Sequence, residues 1–167
     1  MAITDKEQGV WLLDEVYNKI NEGDIWDYDG SVGLFTWGLN NKGQLGKNNL
    51  TNLSSPTQVG TDATWSALSN EGYNDTHFMM ATKTDGTLWT WGSNQAAQLG
   101  QNNAIAQSSP VQVGANTNWG DSIARGMYSS YAIKTDGTLW SWGYNSPSYG
   151  NLGHNNKTEY SSPKQVG

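Results

Sequence analysis

Three near-copies of one segment constrain this chain more than any other feature of it. From Leu34 it reads LFTWGLNNKGQLGKNNLTNLSSPTQVG, and from Leu88 LWTWGSNQAAQLGQNNAIAQSSPVQVG. From Leu139 it reads LWSWGYNSPSYGNLGHNNKTEYSSPKQVG, with two extra residues before its NLG. Trp37, Trp91 and Trp142 recur at spacings of 54 and 51, and Pro56, Pro110 and Pro163 at 54 and 53. A second tryptophan, Trp65 and then Trp119, also returns after 54 residues. A tandem unit of this length cannot bury its apolar face alone, so successive copies must stack on one another.

Each unit reads as four short strands. KTDGT (83–87 and 134–138) is a DG pair flanked by alternating residues, a hairpin signal. It predicts that FMMATK (78–83) pairs with LWTWG (88–92), and YAIK (131–134) with LWSWG (139–143). The PTQV, PVQV and PKQV segments supply another strand, with proline at its first position, and WSALS (65–69) and WGDSI (119–123) the remaining one. Four antiparallel strands per unit, in tandem, give an all-β fold of β-propeller blades. The expected division is an N-terminal segment (1–33), then a half blade (34–60) and two complete blades (61–114 and 115–167).

Composition agrees. Gly, Asn, Ser and Thr supply 69 of the 167 residues, and all four are mediocre or poor helix formers. Nine tryptophans need somewhere to be buried, which argues against disorder.

The motifs WGLNNKGQLG (37–46), WGSNQAAQLG (91–100) and WGYNSPSYGNLG (142–153), each followed by SSPxxV and two of them preceded by a TDGTLW hairpin, resemble the repeat of the regulator of chromosome condensation family. The likeness covers residues 34–167 and implies a propeller, usually of seven blades. It implies little about activity, because that repeat serves exchange factors, enzyme inhibitors and many surface and bacterial proteins. Two and a half blades do not close such a ring. Either a longer parent completes the opening half blade, or several chains assemble.

The charge is uneven. Residues 1–33 carry eight acids against Lys6 and Lys19, and the remainder carries seven of each sign. The total of -6 is unsuited to general nucleic-acid binding, which needs Lys and Arg to displace phosphate counterions. No apolar run is long enough to span a membrane, and the absence of cysteine excludes disulfides, thiolate metal sites and thiol nucleophiles.

Thr4 and Glu7 have capping-box spacing, and Leu13, Val16, Tyr17 and Ile20 fall on one stripe of a short helix ended by Gly23. GVWLLDEVYNKINEGDIW (9–26) resembles a leader found at the start of bacteriophage virion proteins. That resemblance implies an anchor in which Trp11, Leu13, Val16, Tyr17, Ile20 and Trp26 dock on other virion proteins; the alternative is that the segment packs beneath the first blade as an intramolecular cap.

No catalytic constellation is present. His77 and His154 lack ligand-spaced partners, DYDG (27–30) lacks the rest of a calcium loop, and Asp85 and Asp136 precede glycine in hairpin turns. No catalytic, metal or cofactor residue is therefore expected. Segments that differ between copies are the ones expected to face partners. They nominate Asn40, Asn41, Asn94, Gln95, Tyr144, Tyr149, Tyr73 and Tyr128 as exposed recognition positions.

These readings combine into an expected non-enzymatic virion structural protein, a tail, baseplate or fibre component within a larger assembly. Its loops would meet a host-surface glycan or protein. Capsid decoration, or a cellular propeller that binds or inhibits a protein partner, are the alternatives.

Overall fold

Where the sequence places KTDG, the chain reverses. A computed structural model describes residues 33–69 and 77–167. Among the described residues ten strands run in chain order: β1 Phe35–Gly38, β2 Leu53–Gln58, β3 Trp65–Leu68, β4 Phe78–Lys83, β5 Leu88–Gly92, β6 Gln107–Gln112, β7 Trp119–Arg125, β8 Ser129–Lys134, β9 Leu139–Gly143 and β10 Tyr160–Gln165. They form a two-stranded sheet, β1-β2, and two four-stranded antiparallel meanders, β3-β4-β5-β6 and β7-β8-β9-β10. Among the described residues the fold is all-β, built from propeller blades. The expected N-terminal helix and anchor residues lie outside the described residues, as does Tyr73.

Both predicted hairpins form. Thr82 opposes Leu88 and Phe78 opposes Gly92 in one, and Ile133 opposes Leu139 and Ser129 opposes Gly143 in the other. At each tip an aspartate closes the turn. Asp85 Oδ1 accepts from Thr87 N (3.0 Å) and Thr87 Oγ1 (2.6 Å), and Asp136 accepts in the same way from Thr138. The glycine of each WG pair has φ of +94° to +101°, as at Gly92, where a Cβ would run into the His77 carbonyl. One sequence expectation needs correcting: the proline strands begin three residues before the proline. Pro56, Pro110 and Pro163 sit inside β2, β6 and β10, which tolerate them because each is an edge strand.

The core lies between sheets rather than within one. Residues alternate across each strand, so Trp91 and Ala81 join Trp65, Leu34 and Val59 on one side of the second sheet. Phe78, Met80 and Leu88 face the other way and pack with Trp119, Ile123, Ala132 and Trp142 of the third. Trp65 meets Trp91 at 5.9 Å and Trp119 meets Trp142 at 6.2 Å, both with tilted rings. Lys83 lies 4.0 Å from the Trp89 ring centre and Lys134 4.2 Å from that of Trp140, so each buried ammonium rests on an indole face. Between the second and third sheets, Asp121 on β7 accepts from Ser66 Oγ (2.8 Å) and Thr82 Oγ1 (2.6 Å).

Candidate binding groove

The loop after each WG pair hangs on one buried asparagine. Asn94 Nδ2 donates to the carbonyls of Asn103 and Ile105, both at 3.0 Å, while its Oδ1 accepts from Leu99 N at 2.9 Å. Asn40 does the same with Asn49, Thr51 and Leu45, and Asn145 with Asn156, Thr158 and Leu152. All three asparagines are buried. The expectation that Asn40 and Asn94 are exposed recognition residues is therefore corrected. Their amides satisfy backbone groups that the irregular loop would otherwise bury unpaired.

In the third copy that skeleton carries two additional residues, and the surplus chain bulges outward. Asn151 fixes the bulge: its Oδ1 accepts from Ser146 N at 2.7 Å, and its Nδ2 donates to the Tyr144 carbonyl at 3.1 Å. Gly150 N closes the turn onto Ser146 O at 3.0 Å. Tyr149 sits on this bulge, 87% exposed. Tyr144 follows β9, and its N–H donates to the Tyr128 carbonyl at 2.8 Å. The Tyr128 and Tyr144 rings meet edge to face at 6.5 Å.

These parts surround one open groove of about 560 Å³ between the loops of the second and third sheets. Gln95 and Ala96 line it from the loop after β5, Met127, Tyr128 and Ser129 from the turn into β8, and Tyr144, Ser146, Tyr149 and Asn151 from the loop after β9. Four of the nominated residues, Gln95, Tyr128, Tyr144 and Tyr149, thus meet at one place. Asn41 is exposed but lies elsewhere. Sequence reasoning did not single out Met127 or Asn151, although Met127 falls in the copy-specific segment 125–130 and is 43% exposed.

The lining carries no carboxylate, amine or imidazole. The carboxylates whose pKa moves sit at the hairpin tips instead: hydrogen bonds from Thr87 and Thr138 hold Asp85 and Asp136 below the ordinary value of 3.8. Tyr160, held below 10.0 chiefly by the Lys164 ammonium, is likewise not part of the lining. Met127 and three tyrosines with hydroxyl and amide edges suit an uncharged ligand surface that needs shape and a few hydrogen bonds.

The model of the regulator of chromosome condensation (RCC1) repeat matches residues 31–68 and 85–133. A "Protein RCC2 homolog" from Danio rerio is 34% identical over 131 residues, covering 76% of this chain and 25% of that protein. "Ultraviolet-B receptor UVR8" from Arabidopsis thaliana is 28% identical over 137 residues, covering 80% and 30%. Among solved structures, yeast RCC1 (Prp20), determined bound to Kap60, superposes with a TM-score of 0.63 at 18% identity, over 81% of this chain and 33% of its own. The chain thus spans a quarter to a third of the length of these relatives.

Relatives from a fish and a flowering plant overturn the virion reading, whether as tail, baseplate, fibre or head component, and with it the virion location. The likeness behind that reading rested on fewer than 20 residues, and the family match begins only at residue 31. An apolar stripe at helical spacing is shared by countless docking helices, whereas a repeat of this length in three copies is not. Through that repeat the chain belongs to the regulator of chromosome condensation family.

Proposed function

We propose that this chain is a non-enzymatic, protein-binding propeller module, residues 34–167 forming its repeat region, and that a segment of the partner enters the groove between the second and third repeats. The observation that carries this reading is the convergence of copy-specific residues, Gln95, Tyr128, Tyr144 and Tyr149, on one open groove. In a repeat fold the shared positions serve packing, and the positions that differ are free to serve recognition. Exposed tyrosines with few rotatable bonds supply large contact area at small entropic cost. The yeast relative's complex with Kap60 supports a protein as the occupant. The uncharged lining favours an uncharged, apolar segment of that protein, held by Met127 and the tyrosine rings.

The test is photo-crosslinking from a reactive residue placed at position 149 of the full chain, with position 41 as reference. Crosslinks to a defined protein from 149 but not from 41, lost on Met127→Asp while melting is unchanged, are expected. Equal crosslinking from both positions, or none from 149, would refute the groove as the binding site.

A further inference from the structure

Successive sheets meet at a joint that the chain builds twice from the same parts. Trp91 Nε1 donates to the Gln44 carbonyl at the first joint and Trp142 Nε1 to the Gln98 carbonyl at the second, both at 2.9 Å. Each joint leaves a cavity beside two indoles. The first, of about 360 Å³, is lined in part by Trp65, Trp89 and Pro110, and the second, of about 310 Å³, by Trp119, Trp140 and Pro163.

One buried ammonium lies over each pair of indoles. Lys83 Nζ stands 4.8 Å from the Trp65 ring centre and 4.0 Å from that of Trp89, and Lys134 Nζ stands 4.8 Å from Trp119 and 4.2 Å from Trp140. Both lysines are 8% exposed. They differ in counter-charge. At the first joint Asp62 lines the cavity, and its Oδ2 accepts from Lys83 Nζ at 2.7 Å. At the second, the same place is held by Asn116, and among the described residues no carboxylate pairs with Lys134. The tip aspartates do not account for the difference, because Asp85 and Asp136 are each tied to their own threonine in the same way. Ring faces attract an ammonium but offer it no lone pair, and a lysine this deeply buried is ordinarily paired.

We propose that the second joint is a carboxylate-binding site, in which an incoming carboxylate takes the place beside Lys134 that Asp62 holds beside Lys83. Asp62 is itself 57% exposed, so the place is open to approach from solvent. Asn116 replaces an acceptor that would repel the ligand with an amide that can donate to it. The site stands apart from the groove and does not rest on that reading: Trp119 opens β7 and Trp140 lies near the start of β9, whereas Tyr128 and Tyr144 follow the far ends of those strands.

Titration of the full chain with acetate at constant ionic strength, followed through the indole N–H resonances, tests this. Acetate is expected to shift Trp119 and Trp140 saturably and to leave Trp65 and Trp89 in place, and acetamide to shift none of them. Lys134→Met keeps an apolar stem on the indoles and should bind acetate at least roughly tenfold more weakly. Two substitutions at exposed positions decide the matter even if that variant fails to fold. Asn116→Asp supplies the carboxylate from within and should abolish the response, whereas Asp62→Asn should open the first joint, so that Trp65 and Trp89 respond as well. An aspartate residue capped at both ends as amides separates the sources of the carboxylate. Tighter binding than acetate assigns the site to an acidic side chain, and equal or weaker binding assigns it to a free carboxylate ion. A wild type in which acetate moves neither Trp119 nor Trp140 overturns the proposal, as it would if an acid from elsewhere in the chain already filled the place. So does an equal response to acetamide, or an Asn116→Asp variant that responds like the wild type.

Discussion

The turn around Gly100 and the turn around Gly153 have one backbone and two surroundings. Gly100 has φ of +70° and Gly153 +76°, and each lies two residues before a left-handed asparagine. The first is pressed onto Trp142 of the next sheet, and the second meets only the edge of its own. The bare turn keeps the docked shape, so that shape is set locally, by the buried asparagine, Asn94 or Asn145, and by the glycines. Docking adds burial of the neighbouring tryptophan, not the conformation of the loop.

Alanine substitution should separate these contributions. Gly153→Ala pays only for positive φ, about 1–2 kcal/mol. Gly100→Ala pays that and also pushes into a packed indole, for a total of about 3 kcal/mol or more. Denaturant unfolding of the two variants measures the gap. Equal losses would show that the joint at Trp142 adds nothing to the stability of the array.

The second and third blades differ again beside their lysine–tryptophan stacks. Asp62 pairs with Lys83 at 2.7 Å, whereas the matching position of the third blade is Asn116. Asp62 is 57% exposed, so solvent screens the pair, and Asp62→Asn should cost under about 1 kcal/mol, less at high salt. Asn116→Asp should return a similar small gain through Lys134. A loss of several kcal/mol on Asp62→Asn would mean that the ion pair, and not the ring faces of Trp65 and Trp89, holds Lys83 in place.

The strand order was legible in the sequence because repetition and the DG turns reported it independently. Two tip residues, Asp85 and Asp136, were enough to align both inner hairpins. The groove was half legible. Tyr144 and Tyr149 stood out because the third copy is longer, and Tyr128 because its segment varies. Met127 belongs beside them only through the meeting of two loops distant in sequence, which no local pattern encodes. Asn40 and Asn94 were misjudged for a physical reason: asparagine in a polar loop reads as exposed, yet here its amide replaces the missing backbone partners of that loop. The leader misled because a short apolar stripe reports that something is covered and not what covers it.

The smallest expected effect is one in which the two blades should agree. Asp85 and Asp136 are each held below 3.8, first by the threonine hydroxyl two residues on and then by its backbone N–H. A carboxylate whose native pKa lies below its unfolded one contributes stability above the unfolded value. That contribution is lost as the pH falls through the native value. Both turns should therefore be at full strength at neutral pH and weaken below a pH of about 3.8. Thr87→Val and Thr138→Val remove the leading cause at one tip each, so each should flatten part of the acid limb of a melting-temperature profile, by similar amounts. Both aspartates are largely open to water, so the change is small beside that of Gly100→Ala. If only one variant flattened the limb, the two hairpins would not be equivalent despite their identical KTDGT turns, and the difference between the blades would reach beyond their loops.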